Sequence, residues 1–251
     1  MSASTPSAAP SLAPLSQVVE LRRYRLKPGT REVLIDVFDR EFIETQEDVG
    51  MQVIAQFRDI DDPDAFVWLR GFADMRARQA GLAAFYGGPV WKAHGGIANA
   101  TMVNSDNVLL LRPASDGTAA ALAYGQRGAA GTQRFYTLTV AALAPGRDGK
   151  FMEFFEADVR PLLEANGARI VATLVTERAE NSFPRLPVRE GETSFVWLSA
   201  FDDIAACATH EGRLAAVPQW TSAVLPRLQT WLWRPLETAR LAPTLRSRLI
   251  A

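Results

Sequence analysis

The chain has 251 residues, of which 48% are hydrophobic and 22% charged, and its formal net charge is −1. That balance belongs to a globular protein and gives no electrostatic basis for holding a nucleic acid. A single cysteine, Cys207, excludes an intrachain disulfide and fits a reducing, cytoplasmic setting.

Residues 1–16 are mostly Ala, Ser, Pro and Thr, with no Lys or Arg. This reads as a disordered N-terminal tail rather than a secretory signal or a mitochondrial presequence. Val18 to Leu26 is expected to be a strand. Lys27-Pro28-Gly29 reads as a turn, and Thr30 as the N-cap of a helix. Leu34, Phe38 and Phe42 form an apolar stripe at helical spacing, and Gly50 should end that helix. Met51 to Arg58 alternates as a strand with Met51, Val53, Ala55 and Phe57 on one side. The acidic run Asp59 to Asp64 is a turn, Ala65 to Phe72 a strand and Asp74 to Phe85 a helix. A shorter helix around Trp91 and a strand from Val108 to Arg112 complete the unit. No stretch reaches 18 apolar residues, so no membrane span is expected.

The order then repeats. Arg134 to Ala142 is expected as a strand. Phe151, Phe155, Val159 and Leu162 mark a helix kinked at Pro161 and closed at Gly167. Arg169 to Glu177 and Thr193 to Phe201 are strands, Asp203 to Ala215 a helix, and Thr230 to Arg234 the last strand. The repetition is literal in one place. Phe66-Val67-Trp68-Leu69 returns as Phe195-Val196-Trp197-Leu198, and each copy is followed by Phe, Asp and Trp at matched spacing (Phe72, Asp74, Trp91; Phe201, Asp203, Trp220). The offset between copies rises from 117 at Pro28 and Pro145 to 129 here. The connection from Arg178 to Glu192 therefore carries about twelve extra residues.

Each half reads as β-α-β-β-α-β, the ferredoxin-like motif. The expected fold class is α+β, with modules at 17–113 and 134–235, a linker at 114–133 and a C-terminal tail at 236–251. The apolar strands should be buried on both faces, which two associating sheets would satisfy.

Several residues resemble the NIPSNAP family. Glu20-Leu21-Arg22-Arg23-Tyr24-Arg25-Leu26-Lys27-Pro28-Gly29 is similar to its opening motif. Arg160-Pro161-Leu162-Leu163-Glu164-Ala165-Asn166-Gly167 and the Val-Trp-Leu strand leading to Asp and a distant Trp also resemble it. The second opening, Tyr136 to Pro145, departs from the motif. The resemblance implies an intramolecular dimeric α/β barrel. It supplies no agreed catalytic residues, and the wider superfamily includes cofactor-independent monooxygenases, haem-degrading enzymes and isomerases.

Period two puts Glu20, Arg22 and Tyr24 on one face of the first strand, Gln52, Gln56 and Arg58 on one face of the second, and Trp68 and Arg70 on one face of the third. The matching second-half positions are nearly uncharged. If the first-half residues face the barrel, they form a polar patch in an apolar cavity, the usual make-up of a small-molecule site. The expected ligand-binding set is Glu20, Arg22, Tyr24, Gln56, Trp68 and Arg70. In that set, Arg22 or Arg70 would hold a carboxylate or enolate, and Glu20 would serve as a base. The alternative for the same residues is a structural Glu–Arg–Tyr network. Trp68 and Trp197 at matched positions read as packing before ligand walls. His94 and His210 are not equivalent in the repeat and read as surface or loop-end residues. Cys207 reads as a buried, inert thiol. No metal or cofactor is expected, and no HExxH, CxxC or GxSxG occurs. The functional expectation is a NIPSNAP-like protein binding a small, partly apolar molecule in the barrel of the first module. The alternatives are a cofactor-independent monooxygenase or isomerase, and a non-catalytic interaction module. Association of these pseudo-dimers into a homo-oligomer is a further expectation.

Overall fold

The computed structural model describes residues 16–124, 126–127 and 134–249. Of the tail expected over residues 1–16, residues 1–15 lie outside them, as do residues 125 and 128–133 of the expected linker, whereas Ser16 is buried and donates to Gln52 Oε1 at 2.7 Å.

The first half runs β1 (Val18–Leu26), α1 (Arg31–Val37), a π-helical turn (Phe38–Phe42), α2 (Ile43–Glu47), β2 (Gln52–Asp59), β3 (Ala65–Phe72), α3 (Met75–Gly87), α4 (Pro89–Thr101), β4 (Met102–Asn104) and β5 (Val108–Pro113). Next come α5 (Asp116–Tyr124) and β6 (Gln126–Arg127). The second half is β7 (Phe135–Leu143), α6 (Asp148–Phe154), a π-helical turn (Phe155–Val159), α7 (Arg160–Ala165), β8 (Arg169–Thr176), β9 (Thr193–Phe201), α8 (Ile204–Ala215), a π-helical turn (Trp220–Val224), α9 (Leu225–Gln229) and β10 (Glu237–Pro243), followed by β11 (Arg248–Leu249).

Within each half the strands take the ferredoxin-like order, β2-β3-β1-β5 and β8-β9-β7-β10. The fourth strand of each half pairs with the second strand of the other. β5 meets β8 at Leu111–Thr176 and Arg112–Val175, and β10 meets β2 at Leu241–Asp59 and Ala242–Arg58. The two sheets thus join edge to edge, and eight antiparallel strands close on themselves with no open edge between halves. Apolar side chains from all eight strands fill the lumen, among them Val19, Leu21, Phe57, Leu69, Leu111, Tyr136, Leu138, Leu174, Leu198 and Leu241. Leu122 of α5 packs onto the same core. The outer faces carry the helices, with one apolar layer per half.

Local rules recur at the 117- and 129-residue offsets. Asp74 and Asp203 sit in extended backbone and cap α3 and α8, accepting from Ala77 N at 2.6 Å and Ala206 N at 2.7 Å. β2 and β8 are both bulged, at Val53/Ala55 and Ile170/Ala172. The bulge corrects the expected alternation in β2. Val53 packs toward the helices, whereas Ala55 and Phe57 face the lumen. The π turns also repeat, at Phe38–Phe42 and Phe155–Val159. Only the second is followed by a proline, so Pro161 is not the cause of the widened turn.

Three other expectations are corrected. Thr30 does not cap α1 through its side chain; its hydroxyl donates to Lys27 O and Thr101 O instead. The fourth strand of the second half is Glu237–Pro243, not 230–234, where only a single bridge, Leu143–Leu232, forms. Glu237–Pro243 of the expected tail is therefore a strand of the barrel, and residues 244–249 continue against the first half. This segment is fastened to the first half by Arg240 to Asp61, Arg246 to Glu44, and Arg248 to Glu47 at 2.9 Å. The stretch 114–133 also holds a helix, α5, because Ala119, Leu122 and Ala123 are buried on one side of it.

Candidate functional site: a buried arginine cluster beneath an aromatic pocket

Strand alternation decides where the polar residues go. Val19 and Leu21 point into the lumen, so Glu20, Arg22 and Tyr24 point the other way, into the layer between sheet and helices. Trp68 and Arg70 of β3 lie beside them, with Glu20 opposite Arg70 and Arg22 opposite Trp68 in register. The expected patch exists, but outside the barrel lumen, because the lumen positions of the same strands are apolar.

Glu20 is fully buried and carries three guanidinium groups. Its Oε2 accepts from Arg22 Nη1 at 2.6 Å and Arg70 Nε at 2.8 Å, and its Oε1 from Arg78 Nε at 2.7 Å. Burial alone would raise the Glu20 pKa, but the charges of Arg70, Arg22 and Arg78 outweigh it and hold the carboxyl well below the usual range. Glu20 is thus an ion-pair acceptor, and the geometry gives no support to the base role expected for it. Arg22 Nε donates to the Tyr24 hydroxyl at 2.8 Å, and Arg70 Nη1 to Gln46 Oε1 at 3.3 Å. Arg78, on α3, reaches across to the second half, donating to Asn181 Oδ1 at 3.0 Å and Ser182 Oγ at 3.1 Å.

One carboxylate and three guanidinium groups leave a surplus of two positive charges in a buried place (−1 from Glu20, +3 from Arg22, Arg70 and Arg78). Burial lowers the pKa of Arg78, yet a guanidinium starts so high that it stays charged at neutral pH. Arg78 Nη2 has no hydrogen-bond partner among the described residues, and Arg70 Nη2 lies 2.8 Å from Glu20 Oε2 without hydrogen-bond geometry. Aromatic faces spread part of this charge. Arg22 lies 5.3 Å from the Tyr24 ring centroid and 5.7 Å from that of Trp68, and Arg70 lies 5.1 Å from Trp68 and 5.6 Å from Phe72. Each such contact contributes about 0.5–2 kcal/mol. Desolvating each ion costs several kcal/mol, so the rings offset only part of it.

Above the cluster is a narrow cleft lined by Tyr24, Leu34, Phe38, Phe42, Gln46, Trp68, Phe85, Tyr86, Trp91, Ala98 and Met102. Space for the centre of a water molecule is only about 20 Å³, near the minimum for one water, so a larger guest needs the surrounding rings to part. Two hydrogen-bond donors belong to its walls. Trp68 Nε1 is buried and has no acceptor among the described residues. The Tyr24 oxygen already accepts from Arg22, which leaves its own proton to donate elsewhere. Burial raises the pKa of Tyr24 despite Arg22 beside it, so the phenol keeps that proton at neutral pH.

The Arg178-to-Glu192 connection of the second half lies over this layer. Ser182 Oγ donates to Met75 O at 3.2 Å, and the Phe183 ring stacks on Tyr86 at 6.2 Å between centroids. Phe183 and Leu186 pack against the first-half helical core. The second half has no counterpart of the cluster. Register places Thr137 opposite Ser199 where Glu20 faces Arg70, and Thr139 opposite Trp197 where Arg22 faces Trp68. Cys207, four residues after its capping Asp, takes the position of Arg78.

Of the expected site residues, Glu20, Arg22, Tyr24, Trp68 and Arg70 come together. Gln56 pairs in register with Trp68 and is buried, but its side-chain amide has no hydrogen-bond partner among the described residues, and its backbone bonds run to Ser247 and Thr244 at the C-terminal seam. Gln46, Arg78, Asn181 and Ser182 were not anticipated. Arg78 could have been found by setting Asp74 against Asp203, which exposes an Arg where the other half has Cys. His94 is half-buried, 3.5 Å from Glu41, and His210 Nδ1 lies 3.1 Å from Asn166 O. Among the described residues no group of three His, Cys, Asp or Glu could hold a metal ion. Cys207 is buried, and burial followed by Glu211 pushes its pKa up to about 11.

The NIPSNAP family model matches residues 19–116. No curated protein matches the chain. Among solved structures, an anthrone oxidase-like protein superposes with a TM-score of 0.60 at 14% identity, covering 92% of each chain. A candidate monooxygenase from Fusobacterium nucleatum gives 0.59 at 11% identity, covering 92% of this chain and 93% of that one. A second, from Lactobacillus acidophilus, gives 0.52 at 10% identity, covering 92% and 98%. Identities this low establish the shared fold alone. Cluster and cleft both fall chiefly within residues 19–116, the segment that is similar to the NIPSNAP family.

Proposed function

We propose that the chain binds a small, partly apolar molecule in the cleft between the first module's sheet and its helices. The observation that carries this reading is the pairing of an aromatic cleft with the buried Trp68 indole N–H, which has no acceptor among the described residues, beside a Tyr24 hydroxyl that accepts from Arg22. A buried donor left unmatched costs about 1–3 kcal/mol. A guest that offers an acceptor oxygen recovers it. The apolar walls then contribute through burial, and the donors fix orientation.

Native mass spectrometry of freshly purified protein tests this, with Ala98→Leu as the comparison. Ala98 is fully buried in the cleft wall, so the larger side chain fills the space without touching the arginine cluster. A small molecule carried by the wild type and absent from Ala98→Leu supports the reading. A guest retained by Ala98→Leu contradicts it.

A second reading is cofactor-independent oxygenation of such a guest. It is favoured by the names of the structural neighbours, a likeness of fold only. In it Tyr24 would be the proton donor, since Glu20 is committed to three arginines. Oxygen consumption on adding the copurified molecule would separate this reading from simple binding.

A further inference from the structure

The charge surplus beneath the cleft has a chemical meaning that the apolar lining alone does not. No charged side chain lines the cleft. Two of its polar wall groups are nevertheless tied directly to the arginines below. Tyr24 accepts from Arg22, and Gln46 accepts from Arg70. Arg22 and Arg70 therefore each polarise one wall residue, and accepting from Arg22 strengthens the Tyr24 O–H as a donor. The surplus of two positive charges sits in a region shielded from salt and water, where its field is screened little.

We propose that the first-module cleft selects small planar molecules bearing an oxyanion over neutral molecules of the same shape. The shared chemistry is a flat apolar body with a carboxylate, enolate or phenolate oxygen. The body enters where Phe38, Phe42, Phe85 and Trp91 pack against one another at 5.4–5.9 Å between centroids, so these rings part to admit it, and the oxyanion meets the Tyr24 hydroxyl and the Trp68 indole N–H. The negative charge compensates part of the surplus that Glu20 leaves uncovered. The second module, with Thr137, Thr139, Ser199 and Cys207 at the corresponding positions, has no such surplus and no such preference. This inference rests on the cleft being the binding site.

A matched pair of probes tests it, 2-naphthoate and 2-naphthamide, titrated calorimetrically into the full chain at pH 7. The naphthoate is expected to bind at least about tenfold more tightly. The preference should persist at high salt, because the surplus is buried. Tyr24→Phe keeps the ring and removes the donor, and it is expected to bring the two affinities to within about threefold. Equal affinities in the wild type, or a tighter amide, overturn the charge preference and leave the cleft reading standing. A preference that vanishes with salt, or that Tyr24→Phe leaves untouched, places the anion elsewhere on the surface and overturns it too. If neither probe binds, both readings fall. Thermal melting of Tyr24→Phe alongside the wild type checks that the variant is folded.

Discussion

Glu20→Gln is the sharpest perturbation available in the cluster. The substitution keeps the shape and removes the one negative charge among three buried guanidinium groups, raising the local surplus from two to three. Removing one partner from a buried ion pair costs about 3–5 kcal/mol, mostly the uncompensated charge left behind. For a chain of this length each kcal/mol lowers Tm by about 2–4 °C, so the expected fall is about 6–20 °C. The pH dependence has a definite sign. Glu20 is held below its ordinary value of 4.5 in the folded chain, so its contribution is full above that value and is lost as the pH falls toward the folded pKa. The gap between wild type and variant should narrow below pH 4.5, by about 1.4 kcal/mol per pH unit. Differential scanning calorimetry at pH 7 and at several acidic values measures both. A Glu20→Gln protein that melts within about 2 °C of wild type at pH 7 would refute the buried-surplus argument.

Other consequences are simpler to test. Asp74→Ala and Asp203→Ala each remove a side-chain cap and should each destabilise by about 1 kcal/mol in urea titrations, additively because the two helices belong to different halves. Deleting residues 237–251 takes β10 out of the barrel and exposes edges on β2 and β7. The product should be aggregated or unfolded by size-exclusion chromatography, whereas a dispensable tail would leave the elution profile of the full chain. Cys207 should react with a thiol reagent only on unfolding, since burial and Glu211 hold its pKa near 11; rapid labelling of the native chain at pH 8 would contradict that. Phe183→Ala should raise amide hydrogen exchange in residues 179–187 by removing the stack on Tyr86, with little change in β1.

Much of the fold was legible because it rests on local chemistry that the chain states twice. Strand alternation, Gly50 at φ +82°, and the Asp caps need no distant partner to be recognised. The last strand was misplaced for a physical reason. Trp231-Leu232-Trp233-Arg234 is more apolar than Glu237–Pro243, but Trp233 is exposed, and the true strand is held between β7 of its own half and β2 of the other. Pairing across halves is invisible to local pattern. The bulge at Val53/Ala55 hid the facing of β2 in the same way, since a period of two fails where a residue is inserted. For the site, period two found five members that share strands. It could not supply Arg78 and Gln46, which come from helices, or Asn181 and Ser182, which come from the other half's extended connection. Nor could it tell lumen from helix layer. Both faces of β1 are buried, and only the assembled barrel assigns Val19 and Leu21 to the inside and Glu20 and Arg22 to the outside.

The most direct test of the cleft is the indole region of a nitrogen-15 NMR spectrum during titration with 2-naphthoate. The chain has six tryptophans, and Trp68→Phe assigns the signal of Trp68. Its N–H has no acceptor among the described residues, so a guest oxygen arriving there should shift that resonance downfield, together with the signal of Trp91 at the cleft wall. The account predicts those two signals to move and that of Trp197, at the matching place in the second half, to stay. Movement of Trp197 with Trp68 unmoved would contradict it.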